Sequence, residues 1–301
     1  MKEETYIASA IRHIAPAHYG EIVATALFEK TVSLWDTSTG NRVSEFETIL
    51  SFGGTRLALS RAEGACLAAA YKIHGLACYN TPIGKLRWQR KDLKKIQQIV
   101  VKPDEKYVYC CFDEGSCQLI EVATGKTTER IRGLRRIWLD SRYGFQLRKS
   151  SNLSVVDSSG KQSFKIEPNS FAVLDAAFSK NNLAISEAGA DVRIFDLSSG
   201  QEVLRYAQPR NHHILELSSS AHGPAFYGVQ WNYNDGGPKS LLRFSPELAE
   251  IDFICDLGQP AKVAFCQNGK YLLSSEGDLV DCRTGEIVLA LSFPQKEYPK
   301  N

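Results

Sequence analysis

Apolar residues recur along this chain in short runs of about four to six, without the i, i+3, i+4 spacing of an amphipathic helix. Glu21–Phe28 and Thr31–Trp35 form one pair of runs, and Tyr107–Phe112 and Cys117–Val122 another. Such runs, rich in β-branched and aromatic residues and bounded by Gly, Asp, Asn and Ser, predict β-strands. The turns repeat as well. The run 32–35 (VSLW) enters Asp36 and reaches Gly40 four residues on, and 192–195 (VRIF) enters Asp196 and reaches Gly200. The same offset joins Asn80 to Gly84, Glu121 to Gly125 and Asp281 to Gly285. Asp157 to Gly160 is one residue shorter, and at Ser245-Pro246 the glycine is missing. Asp, Ser and Thr bond nearby backbone amides, and glycine takes positive φ without a Cβ penalty, so each phrase predicts a hairpin turn.

The anchors at 36, 80, 121, 157, 196, 245 and 281 advance by about 41 residues, the step of one four-stranded propeller blade. Each unit offers three runs before its turn and one after it. In the last unit the three are Lys262–Cys266, Lys270–Ser275 and Asp278–Cys282, followed by Glu286–Leu291. The prediction is an all-β chain folded as a seven-bladed β-propeller of four-stranded antiparallel blades, in a single domain over 1–301. The expected blades are 5–48, 49–92, 93–132, 133–168, 169–208, 209–256 and 257–292, with a short tail at 293–301. Residues 4–10 could add beside the last blade. Trp35 and Phe195, on the third strand of their blades, should point inward between neighbours.

The strand–turn phrase resembles that of the WD-repeat family. Ser33-Leu34-Trp35-Asp36 matches the family's terminal Trp-Asp dipeptide, and Phe195-Asp196 matches it with an aromatic swap. Tyr79-Asn80, Ile120-Glu121 and Val156-Asp157 are weaker echoes. The family's Gly-His dipeptide has no counterpart here, so the resemblance is to a divergent member. It implies a protein-interaction scaffold.

Eight cysteines lie mostly in apolar runs, where a thiol packs as a small hydrophobe. The amino terminus, MKEETY, has no apolar signal core and no run reaches the roughly 18 apolar residues of a membrane helix, so reduced cysteines, a cytoplasmic location and no membrane span are expected. No Cys-x2-Cys pair suggests zinc, and no phosphate-binding or nucleophile-elbow motif is present; the expectation is no metal, no cofactor and no catalytic residue. His212, His213 and His222 read as a polar loop entering the sixth blade.

Charge alters this picture locally. The chain carries 36 basic and 34 acidic residues, yet 85–149 alone holds 16 basic against 8 acidic, leaving the remainder at −6. The basic residues gather at 87–95 and 130–136, both in connections from strand d to the next strand a. Arg90, Lys91, Lys94, Lys95, Arg132, Arg135 and Arg136 are therefore expected to form one basic arc on the d-to-a face, where an acidic protein partner docks. Trp231 and Tyr233, in a long connection of the sixth blade, are candidate partner contacts on the same face. Nucleic acid is a weaker partner reading, because the overall charge is balanced. A different class of function, a small-ligand-binding or hydrolytic propeller, would use the axial channel. Its candidate acids are Asp140, Asp175 and Glu216, which from separate blades could hold a cation.

Overall fold

The computed structural model describes residues 11–291 apart from 18–20, 28–29, 50–54, 71–74, 149–151, 158–159, 170–171, 233, 235–236 and 261, with the side chains of 11, 12, 27 and 55 also outside it. Twenty-eight strands, β1 (Ile11–Pro16) to β28 (Ile287–Ala290), form seven four-stranded antiparallel sheets. Each sheet consists of four consecutive strands, from β1-β2-β3-β4 to β25-β26-β27-β28. The seventh blade is thus completed by its own fourth strand; residues 4–10 lie outside the described part of the chain. The first strand of every sheet lines the axis, where all seven surround one cavity of about 530 Å³.

The turn phrase closes as its chemistry dictates. The N–H of Gly40, Gly84, Gly125, Gly200 and Gly285 donates to the carbonyl four residues earlier, each at 2.8 Å. The Asp36, Asp196 and Asp281 carboxylates accept from the N–H groups two and three residues on. The Ser38 and Ser198 hydroxyls donate to the same carboxylates, and these bonds first, with the N–H bonds after them, hold Asp36 and Asp196 below the usual carboxylate range.

Packing adds a second reason for glycine. A Cβ at Gly84 (φ 68°) would lie 2.2 Å from Phe46 Cβ, and one at Gly125 (φ 73°) would lie 2.7 Å from the Trp88 indole. Phe46 and Trp88 belong to the outermost strand of the preceding blade, so this turn seats the neighbouring blade's outer side chain. Leu289 of the seventh blade meets Gly40 of the first in the same manner, which closes the ring.

Between blades, apolar side chains form the core. At the closing seam Ile14, Val23 and Trp35 pack on Ala264, Leu273 and Leu279. Trp35 is 2% exposed, and its Nε1–H donates to Thr25 Oγ1 at 2.9 Å. Phe195, 5% exposed, packs at the corresponding seam with Phe145 and Val155. Both point inward as their register predicts.

Two expectations are corrected. Cys111 and Cys117 form a disulfide, because the β10 (Tyr107–Phe112) and β11 (Ser116–Glu121) hairpin sets them directly opposite, with Cα atoms 4.1 Å apart. The other six cysteines are thiols. His212 and His213 open the strand β21 (His212–Ser219) rather than forming a loop, and His213 Nδ1 accepts the Gly189 N–H at 3.2 Å.

Candidate functional site

The axial mouth is built from one position repeated in all seven blades. His13, Arg56, Gln98, Arg136, Asp175 and Glu216 pair with Ala26, Ala69, Cys111, Leu147, Ser186 and Val229 of their second strands. Lys262 holds the equivalent place opposite Ser275, whose N–H donates to its carbonyl at 2.8 Å. In five blades an irregularity in the ladder immediately precedes this residue. A bulge re-aims the side chain that follows it, here towards the axis.

Hydrogen bonds pass round this ring from blade to blade. Arg56 Nε donates to Gln97 O at 2.7 Å, and the Ile137 N–H to Gln98 Oε1 at 3.0 Å. Arg136 Nη1 donates to Val173 O at 3.0 Å. Asp175 accepts from Trp138 Nε1 and from the Leu217 N–H, both at 2.7 Å. This convergence of seven polar side chains is legible only when the blades are superposed. In each unit a polar residue precedes an apolar run, and a single copy reads as the wet end of a strand.

Burial raises both acids of the ring above the ordinary range. Asp175 is held back by hydrogen bonds from the Leu217 N–H, Trp138 and the Ala176 N–H and by the Arg136 charge, whereas Glu216 is pushed further up by the Asp175 charge; of the two, Glu216 is the one that holds a proton more firmly. His13 moves the other way, down to about 4, through burial and then the charges of Arg56 and Lys262.

A stability prediction follows from Glu216. Its folded value lies above its unfolded one, so the folded state binds the extra proton. That stability is fully present below the unfolded value of 4.5 and is lost as pH rises through the folded value of about 8. Glu216→Gln should match the wild type in thermal melts at pH 5 and exceed it at pH 9 by about 1–2 kcal/mol, the scale of a carboxylate charged in a poorly solvated place. Parallel melting curves at both pH values would refute the assignment.

The cation triad suggested by Asp140, Asp175 and Glu216 is not assembled. Asp140 lies beyond the far end of its strand β13 (Leu134–Leu139), and its carboxylate accepts the N–H groups of Arg142 and Tyr143. Among the described residues no group of three or more His, Cys, Asp or Glu side chains is placed to hold a metal ion.

The basic tracts divide in two. Lys91, Lys94, Lys95, Arg130, Arg132 and Arg135 are exposed. None takes part in an ion pair among the described residues. The tracts meet where the end of the second blade leans on the third. Arg90 Nη1 donates to Gly125 O at 2.8 Å, and the Asp113 N–H to Lys95 O at 3.2 Å. Hydrogen bonds from Arg90 come first among the causes that hold Asp92 low, with the Arg130 charge contributing. Arg90 itself is neutralised, its Nη2 lying 2.6 Å from Asp92 Oδ2. Arg136 turns away from its exposed neighbour Arg135 into the axial mouth, so the arc and the ring share one end of the disc but use different residues.

Trp231 lies within the strand β22 (Phe226–Asn232), half-buried, with Lys239 Nζ 5.7 Å from its ring centre. The connection therefore begins later than the sequence suggests, and Tyr233 lies outside the described residues. No helix among the described residues is long and apolar enough to cross a membrane.

No family model matches this chain, and no curated protein matches its sequence. Solved structures do. The C-terminal WD40 domain of Sif2 aligns with a TM-score of 0.66 at 10% identity over 88% of this chain and 78% of that one. The structure of U3-55K gives 0.66 at 11%, covering 89% of this chain and 91% of that one. The fold shared with these structures is the β-propeller. BamB from Moraxella catarrhalis gives 0.57 at 13%, covering 90% of this chain and 80% of that one. At these identities the propeller shares architecture with them and nothing narrower.

Proposed function

We propose that this propeller is a non-enzymatic interaction scaffold that docks an acidic protein partner on its d-to-a face. The observation that carries the reading is the exposed, unneutralised arc of Lys91, Lys94, Lys95, Arg132 and Arg135 across the second to fourth blades, with Arg130 beside it. Such a field steers an acidic surface into register and raises its association rate, more than it deepens affinity. Arg90 and Arg136 contribute less to that field, one being paired and the other committed to the ring. Trp231 and Tyr233 are secondary partner contacts in this reading. A protein partner suits the arc better than nucleic acid, because the excess charge is confined to a few blades. A cytoplasmic location fits the six free thiols, although the Cys111–Cys117 bond is uncommon in a reducing compartment.

The test is charge reversal at exposed positions. Lys94→Glu with Arg135→Glu should slow association with an acidic partner captured from the native host by about tenfold at low salt, with the difference shrinking above the ~0.1 M regime where screening sets in. The melting temperature should not move. Wild-type affinity in the reversed protein, or docking on the opposite face, would show the arc to be merely a solvated surface.

A further inference from the structure

The axial ring bears a feature that docking on the outer face does not use. Among the described residues His13 Nδ1 is buried with no hydrogen-bond partner. Its imidazole sits between the charges of Arg56 and Lys262, which come from the blades on either side. The acids of the ring lie elsewhere on it, where Arg136 and Lys262 act on Glu216 and Arg136 on Asp175. By formal count three cations face two carboxylates, and the proton retained on Glu216 widens the excess. A net positive ring around a neutral, unpartnered imidazole is suited to an anion.

Directly inward, the wall changes character. Two residues further along four of these strands stand Ala15, Ala58, Val100 and Ala177, about 7 Å deeper at the rise of a strand. These side chains line the near part of a cavity of about 530 Å³, while Phe178 and Phe265 share its far part with Asp140, Ser141, Gln267 and Asn268. Charge at the mouth, a short apolar collar directly behind it and a polar far end fit a ligand whose anionic head is followed by a compact apolar body.

We propose that the axial channel binds a small organic carboxylate. Its carboxylate sits on the arc formed by His13, Arg56 and Lys262, accepting a hydrogen bond from the imidazole Nδ1–H, and its apolar body extends into the alanine-lined near part of the cavity. This site is independent of the outer basic arc.

Benzoate and 4-phenylbutanoate are the probes, with acetate and benzylamine as controls, followed by calorimetry and by nuclear magnetic resonance of the His13 ring through a pH titration. Bound anion should offset the neighbouring cations and raise the His13 pKa by about one unit. Phenylbutanoate should bind at least about tenfold more tightly than acetate, and benzylamine, with its charge inverted, should not bind. Lys262→Met, at an exposed position, should weaken benzoate by about tenfold at an unchanged melting temperature. His13→Gln should abolish the response. The Lys94→Glu, Arg135→Glu protein should bind benzoate as the wild type does, whether or not its partner binding fails. The proposal is overturned by a His13 titration unmoved at about 20 mM benzoate, by benzylamine binding equally well, or by wild-type binding in the Lys262→Met protein.

Discussion

Trp35→Ala should cost about 3–5 kcal/mol in urea denaturation, the range for deleting a buried aromatic. The indole fills the seam between the first and last blades, where it packs with Leu273 and Leu279. Its loss opens a cavity at the junction that closes the ring and leaves Thr25, fully buried, without the indole N–H it accepts. Trp35→Phe should cost less, because much of the volume remains and mainly the hydrogen bond goes. Phe195→Ala removes an aromatic from the corresponding seam of the fifth blade and should fall at the lower end of the same range. A change within about 0.5 kcal/mol at either position would mean that the side chain is dispensable to its seam.

Arg193→Met should be as damaging, by about 3–5 kcal/mol, because it strips the partner from a buried carboxylate. Glu187 is fully buried and Arg193 is 4% exposed. Arg193 Nη2 and Nε both donate to Glu187 Oε2, at 2.7 and 3.1 Å, while the Asn169 N–H donates to the other oxygen at 3.0 Å. The guanidinium also lies 5.1 Å from the Phe195 ring centre, so the pair is enclosed by the same seam. Glu187→Gln in the Arg193→Met background should recover a large part of the loss, since an amide is far cheaper to leave dry than a charge. An exposed pair would give under about 1 kcal/mol for the single change and no recovery in the double one.

Trp35 and Phe195 were legible from sequence because each stands immediately before a turn residue of fixed spacing, and strand alternation then sets the face they occupy. The Glu187–Arg193 pair was not. Its members flank a stretch, AGADV, that reads as an ordinary turn, and only the pairing of β18 (Asn182–Glu187) with β19 (Val192–Asp196) turns both inward. Arg135 and Arg136 illustrate a different limit. Adjacent cations look alike in a charge count, yet the ladder irregularity between Leu134 and Arg136 sends one to solvent and the other to the axis. Cysteine spacing likewise gave no sign of the Cys111–Cys117 bond, which depends on hairpin register. The period of the repeat carried the architecture, while the chemistry of the mouth lay in deviations within single copies.

The blades are each made of four consecutive strands, and the seat of Leu289 on Gly40 is of the same kind as that of Phe46 on Gly84. Among the described residues the closing seam is thus built like the seams at Gly84, Gly125, Gly200 and Gly285. Five of the junctions share this seat, at Gly40, Gly84, Gly125, Gly200 and Gly285, and a break in the backbone beside one of them would leave the same kind of contact to be re-formed. Opening the circle at a different connection and rejoining the chain elsewhere is therefore a rearrangement of sequence order alone, with the inter-blade adhesion carried over intact.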